Sequence, residues 1–176
     1  GGATVRSSLA RSLHLSFATV SNLSKILEKN GFLYSNELRE SSGGRRPAQL
    51  QFNARARFSL GLSIRHDLQV RLALLDLCNR VVEELIVAPP QNGSVDDLIK
   101  ELSTRYRGQL ERHELNAGMV IGAGVAIPGV SNRSTGAVEA TTSPLLANLN
   151  LKDRLEEALS CPVYIHNDAD LAALAF

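Results

Sequence analysis

The chain has 176 residues, 44% of them hydrophobic and 21% charged, which is enough for one ordinary domain or for a small domain joined to a larger one. No apolar run approaches the roughly 20 residues that span a bilayer, and no basic-then-apolar leader opens the chain, so we expect a cytoplasmic protein. The two cysteines, Cys78 and Cys161, match no metal or redox spacing and are expected to be reduced thiols.

Positive charge is concentrated at the start of the chain. Residues 1–60 contain nine Lys or Arg and three Asp or Glu, whereas residues 61–176 contain ten and fifteen. A basic module on an acidic body indicates a polyanionic partner for the first part only, although a surface bias without function gives the same count.

The first 57 residues show two helices followed by two strands. Residues 5–13 place apolar side chains on one stripe of a short helix, and residues 14–15 make a turn. Ser16 is placed to cap a second helix at 17–29, which ends at Asn30-Gly31. Strands are predicted at 32–34 and 49–52, and a loop is predicted between them at 41–47.

Residues 58–176 form the second predicted domain. Three consecutive strands come first, then helices and strands in turn, which indicates an α/β layer with a mixed sheet. Ser94 is placed to cap the first of these helices. The predicted strands lie at 59–64, 70–77, 81–87, 119–127, 137–140 and 163–165. The predicted helices lie at 95–113, 151–159 and 168–176.

The second helix of the first domain is suited to read DNA. Val20, Leu23 and Leu27 fall on one face and are expected to pack on the preceding helix. A major groove admits one such helix, with its first residues at the base edges, so the side chains that remain free are candidates for contact. They are Ala18, Thr19, Asn22, Lys25 and Lys29.

These positions have chemistries that fit duplex DNA. Asn22 can pair with adenine through two hydrogen bonds, and Thr19 or Ser21 can contact bases or phosphates. Lys25 suits a phosphate, and Ser16 leaves backbone N–H groups at the helix start that also favour phosphate.

The loop at 41–47 gives the first domain a basic wing. Its Gly43-Gly44-Arg45-Arg46-Pro47 lets the tip bend and allows Arg45 and Arg46 to enter the minor groove. The order helix, turn, helix, strand, loop and strand predicts a winged helix–turn–helix that binds double-stranded DNA. The alternative is a helical hairpin in a protein-binding module with a solvated basic loop.

Asn167-Asp168 is the candidate ligand site of the second domain. The pair follows a short apolar strand and starts a helix, and ligands of open α/β sheets bind beyond the carboxyl ends of strands. A carboxylate beside an amide suits neighbouring hydroxyls of a sugar. Alternatively, Asp168 only caps the helix, and Pro128-Gly129 is only a turn that ends a strand. His166 is expected to be structural or to border the pocket.

The chain resembles the ROK family, which includes sugar kinases and the xylose and N-acetylglucosamine repressors. The resemblance rests on the winged module at 9–47, on residues 122–130 with 136–138, and on residues 161–170. It implies that the second domain is the first lobe of an actin-like, ribonuclease-H-like fold with a sugar cleft.

The resemblance also implies which residues line that cleft. In the family's kinases, the pair matching Asn167-Asp168 touches sugar hydroxyls, and its Asp is the general base. The loop matching Pro128-Gly129 borders the same pocket, and Asn148 is similar to a polar residue that lines it.

The first hairpin of the second domain argues against catalysis. The family's kinases carry Asp-x-Gly-Gly-Thr there, and its glycines let the backbone approach ATP phosphates. Here residues 63–67 read Ser-Ile-Arg-His-Asp. Because phosphoryl transfer depends on positioning and charge neutralisation, we expect no catalytic residue and no enzyme activity. The family's zinc-binding cysteines would lie further along, so we expect no metal or other cofactor in this segment.

The sequence therefore predicts a sugar-responsive bacterial transcription regulator, more often a repressor than an activator, that binds its operator as a homodimer or higher oligomer. A sugar effector would shift it between DNA-competent and DNA-released forms. The alternatives are an active sugar kinase with a DNA arm and a regulator controlled by a protein partner. Because a helix normally precedes Val5 in such a module and Phe176 lies inside a predicted helix, we expect a longer protein.

Overall fold

The computed structural model describes residues 3–36, 48–91, 93–132 and 135–174, apart from the side chains of residues 172 and 174. The predicted wing, with Arg45 and Arg46, lies outside the described residues. The chain divides into two compact units, Gly1–Ala56 and Arg57–Phe176. Within the described ranges, no helix combines the length and the apolar character that crossing a membrane requires.

The smaller unit combines two helices with a three-stranded antiparallel sheet of order β1-β3-β2. Its helices are α1, Arg6–Ser12, and α2, Phe17–Lys29. Its strands are β1, Thr4–Val5, β2, Leu33–Asn36, and β3, Gln49–Phe52. Val5, expected in the first helix, belongs instead to β1 and pairs with Gln49.

Both ends of α2 are set by local chemistry. The Ser16 hydroxyl accepts a hydrogen bond from the N–H of Thr19 at 3.1 Å, which confirms the predicted cap. At the other end, the Asn30 side chain donates to the carbonyl of Ile26 at 2.8 Å. Gly31 then adopts a left-handed φ of 78°, which glycine reaches without a steric penalty.

The buried stripe of α2 is not the predicted one. Val20 is 4% exposed and Ser24 is 3% exposed, whereas Leu23 and Leu27 are 49% and 41% exposed. The expectation that Leu23 and Leu27 pack on α1 is therefore wrong. The stripe follows an i, i+4 row that continues to Glu28, whose carboxylate accepts two hydrogen bonds from Arg6 of α1 at 2.9 and 3.0 Å.

The larger unit is built on a five-stranded mixed sheet of order β10-β7-β4-β5-β6. β4, β5 and β6 are antiparallel neighbours, whereas β7 runs parallel to both β4 and β10, as the mixed-sheet prediction requires. The strands of this sheet are β4, Phe58–Ile64, β5, Val70–Asp76, β6, Val81–Val87, β7, Val120–Ile127, and β10, Val163–Asn167.

Three helices and a hairpin complete this unit. The helices are α3, Val95–Arg112, α4, Leu151–Leu159, and α5, Asp168–Leu174. The hairpin consists of β8, Gly129–Ser131, and β9, Val138–Thr141. Ser94 caps α3 as predicted, accepting a hydrogen bond from the N–H of Asp97 at 3.4 Å.

The core of the larger unit lies on one face of its sheet. Alternate residues of β4 are buried there, β5 and β10 follow the same alternation, and β7 follows it from Ala123 onward. α3 and α4 cover this face with leucines such as Leu102 and Leu155, which are fully buried in the same cluster. Because one face is apolar, the register of the strands is fixed by burial.

We expect Val20→Ala to loosen α2 much more than Leu23→Ala. Removing two buried methyl groups costs about 1–3 kcal/mol, which corresponds to a loss of hydrogen-exchange protection of about fivefold or more. The exposed Leu23 should change the protection of α2 amides by less than about threefold. Equal losses of hydrogen-exchange protection in the two variants would show that the buried stripe is not the one that begins at Val20.

Candidate functional site

The carboxyl ends of three strands meet at one edge of the larger sheet. Ala126 of β7 pairs with Ser63 of β4 on one side and with His166 of β10 on the other. Pro128, which follows β7, and Asn167, the last residue of β10, therefore lie along one edge, where open α/β sheets bind ligands.

Asn167 fastens three elements together at this edge. Its side-chain Nδ2 donates to the carbonyl of Gly129 at 2.8 Å, which holds the β8–β9 hairpin to the end of β10. Its Oδ1 accepts the N–H groups of Ala169 and Asp170 at 2.8 and 3.1 Å. Asn167 is therefore the residue that caps α5, which corrects the alternative that Asp168 is the cap of this helix.

Asp168 presents its carboxylate to solvent at the start of α5. One carboxylate oxygen, Oδ1, accepts the N–H of Ala169 at 2.9 Å. Among the described residues, no partner of the other oxygen is recorded. The carboxylate is thus oriented by the backbone and keeps acceptor capacity for a ligand hydroxyl.

The Pro128-Gly129 turn is fixed from both sides. The Pro128 carbonyl accepts the hydroxyl of Thr141 at 2.9 Å and the N–H of Thr142 at 3.2 Å. A Cβ atom at position 129 would overlap the carbonyl oxygen of Ala140, so only glycine fits against β9. The turn is therefore a rigid border beside Asn167.

Asn148 is hydrogen-bonded to the end of the β8–β9 hairpin that lies away from Gly129. It is exposed, has a left-handed φ of 58°, and donates its backbone N–H to the carbonyl of Val138 at 3.1 Å. Val138 pairs with Ser131, at the opposite end of the β8–β9 hairpin from the Gly129–Thr141 pair. Within the described part of the chain, this hydrogen bond does not bring Asn148 together with Asn167 and Asp168.

A polar row on the open face of the sheet was not predicted from the sequence. His166, Ser63 and Arg71 occupy one row across the strands, which continues to Ile86 of β6. A hollow of about 320 Å³ lies at one end of this row and is lined by Ser63, Arg65, Gln69, Arg71 and Ile86. Strand alternation could have indicated the row, because it separates these residues from the apolar ones.

The β4–β5 turn uses its own backbone donors. Arg65 N–H donates to the carbonyl of Gln69 at 2.9 Å, and Leu68 N–H donates to the carbonyl of Arg65 at 3.0 Å. The Asp67 carboxylate accepts the N–H of Gln69 at 3.2 Å. Leu68 has a φ of 64° and is buried, so an apolar side chain fills the turn.

The candidate DNA contacts lie on α2. Ala18, Asn22 and Lys25 are exposed, as predicted for free positions. Thr19 is also exposed, but its hydroxyl is hydrogen-bonded to the Ser16 hydroxyl at 2.8 Å. Ser21 is only half-exposed.

The perturbed titratable groups lie away from both candidate sites. Burial raises the pKa of Tyr106 to about 12, with a further contribution from Cys161. Burial also raises the pKa of the Cys161 thiol, and Glu156 adds to the shift. Within the described ranges, no group of three or more His, Cys, Asp or Glu side chains is placed to hold a metal ion.

Comparison with known sequences identifies relatives of this chain. A model of the ROK family matches residues 69–176. The xylose repressor of Bacillus subtilis is 26% identical over 170 residues, which is 96% of this chain and 43% of the relative. The chain spans about two fifths of the length of the curated repressors it matches.

Solved structures share the fold. A ROK-family transcriptional regulator, described as a homologue of the E. coli Mlc protein, superposes with a TM-score of 0.66 and 22% identity over 98% of this chain and 43% of its own. The ROK hexokinase of Thermus thermophilus superposes with a TM-score of 0.56 and 21% identity over 67% of this chain and 37% of its own. Since the family model covers more than half of the residues, this chain belongs to the ROK family.

Proposed function

We propose that this protein is a sugar-responsive transcriptional regulator of the cytoplasm, and a repressor rather than an activator. The observation that supports this most strongly is how far the similarity to a repressor extends. The B. subtilis xylose repressor aligns with 96% of the chain and thus with both units, whereas the T. thermophilus hexokinase superposes on 67%.

The smaller unit is proposed to be a winged helix–turn–helix that binds duplex DNA. α2 is its recognition helix, and the loop predicted at 41–47 is its wing, with Arg45 and Arg46 in the minor groove. The first bond within α2 runs from Val20 N–H to the carbonyl of Ser16 at 3.1 Å. The N–H groups of residues 17 and 18 therefore remain available for a phosphate.

The effector is proposed to be a sugar bound at the edge where β7 and β10 end. Asp168 would accept hydrogen bonds from sugar hydroxyls, and Asn167 has a second Nδ2 hydrogen beyond the one given to Gly129. Pro128 and Gly129 would form the rigid border of the pocket. Asn148 is included because of its resemblance to a lining residue of the family.

The larger unit is proposed to bind sugar without phosphorylating it. Three backbone N–H groups of the β4–β5 turn are already used within the turn, and Leu68 fills its interior. A phosphate cradle needs those donors free and a backbone that a nucleotide can approach. Sugar binding would then act by shifting the population between forms that do and do not hold DNA, with two copies of the chain on one operator.

We expect replacement of both Lys25 and Lys29 with alanine to weaken binding to a mixed-sequence duplex and to lower its salt dependence. Each phosphate contact contributes about 0.9 to the slope of log affinity against log salt concentration, so the slope should fall by about 2. Fluorescence anisotropy between about 50 and 200 mM NaCl measures both quantities.

The control for this experiment removes the same charge from the larger unit. Lys100→Ala combined with Arg107→Ala changes two exposed cations of α3 and should leave the slope unchanged. If the salt-dependence slope falls by the same amount in both double variants, Lys25 and Lys29 of α2 do not contact the phosphates.

We expect Asp168→Asn to weaken sugar binding at least about tenfold, because a hydrogen bond to a charged group contributes about 1.5–3 kcal/mol. Calorimetry with D-xylose, the sugar in the relative's name, and then with other aldoses measures the loss. Asp170→Asn makes the same change in charge on the same helix and should bind as the unaltered protein does. Equal effects of the two variants would remove Asp168 from the site.

A further inference from the structure

The exposed surface of α2 has two flanks of different chemistry. One flank, called the reading flank below, consists of Ala18, Asn22, Lys25 and Lys29, which lie within an arc of about 60° at 3.6 residues per turn. The other flank carries Leu23, Ile26 and Leu27, whose exposed side chains are apolar. Hydrogen-bonding and positive groups are therefore gathered on the reading flank.

The hydroxyl groups near the start of α2 are poorly placed to read bases. The Thr19 hydroxyl is held by the Ser16 hydroxyl at 2.8 Å, and Ser16 in turn accepts the N–H of Thr19. Reading a base with either hydroxyl would weaken the helix cap. Ser21 is half-buried beside the stripe that faces α1.

A methyl group and a carboxamide remain at the base-reading end of the flank. Within the described part of the chain, no hydrogen bond of the Asn22 side chain is recorded. By contrast, the amides of Asn30 and Asn53 donate to the carbonyls of Ile26 and Gly31, both at 2.8 Å. α2 contains no arginine, so the commonest contact to guanine is missing.

We propose that the reading flank recognises two A·T pairs, with Asn22 bonded to N6 and N7 of an adenine and the Ala18 methyl against the C5-methyl of a thymine. This inference rests on the proposed function, in which α2 enters the major groove. Four residues of helix span about 6 Å, so the two pairs lie about two base-pair steps of 3.4 Å apart. Lys25, further along the helix, contacts a phosphate.

The test begins with selection of duplexes from a random-sequence library by the protein. Selected half-sites should contain A·T pairs at two positions about two steps apart. Replacing the adenine with 7-deazaadenine removes N7, and replacing the thymine with uracil removes the methyl group. We expect the first change to weaken binding about tenfold or more and the second about fourfold.

Protein variants assign each effect to its side chain. Asn22→Ala should lose sensitivity to 7-deazaadenine but keep sensitivity to uracil, and Ala18→Gly should show the reverse. Because glycine lowers helix stability, Ala18→Ser provides a second variant, in which the methyl group becomes a polar hydroxymethyl group. The base replacements leave the protein unaltered, so they decide the question even where a variant misfolds.

The outcomes separate this inference from the proposed function. Failure to bind or to enrich any duplex would overturn the proposed function. Enrichment of G·C pairs at the two positions, with binding intact, would overturn only the recognition of A·T pairs. A·T pairs could also be enriched while the two base replacements leave the affinities of the unaltered protein and both variants unchanged. That result would show that the protein reads the shape of the groove, and it would also overturn the recognition of A·T pairs by Asn22 and Ala18.

Discussion

The parallel pairing of β7 with β4 on one side and β10 on the other is the constraint on which the larger unit depends. Ala126 is level with both Ser63 and His166, so the three strands end together. A one-residue slip would turn the buried face of a strand toward solvent. A two-residue slip would carry Asn167 about 7 Å from the hairpin that it holds. Burial of one sheet face thus sets the register, and the register places the candidate ligand site.

Within that edge, structural and chemical roles fall on adjacent residues. The Asn167 amide is largely occupied in holding β10, the β8–β9 hairpin and α5 together. The Asp168 carboxylate is exposed and oriented by the first turn of α5. The Asp168 carboxylate would therefore be oriented before a sugar binds. Asn167 would connect the bound sugar to the β8–β9 hairpin. The β4–β5 turn at the same edge satisfies its own donors, which separates sugar binding from phosphoryl transfer in this proposal.

Local chemistry made part of this structure predictable from sequence. Helix caps at Ser16 and Ser94 depend on neighbouring residues alone, and both were found as predicted. The strands predicted at 59–64 and 70–77 were found at Phe58–Ile64 and Val70–Asp76. The failures involve partners distant in sequence. Leucine spacing on α2 cannot show which stripe meets α1, because that choice is tied to Glu28 pairing with Arg6, 22 residues away. Likewise, either member of Asn167-Asp168 could cap a helix, and the contact of Asn167 with Gly129, 38 residues earlier, is invisible to local patterns.

A sugar-responsive regulator must bind DNA with a different affinity when its sugar is bound. Calorimetry on a panel of aldopentoses and aldohexoses first shows which sugar binds. Fluorescence anisotropy of a duplex selected by the protein then gives the affinity of the protein for DNA with and without a saturating concentration of that sugar. We expect the bound sugar to weaken DNA affinity fivefold or more, the usual range of coupling between two sites. Identical affinities in the presence and absence of a sugar that demonstrably binds would contradict it.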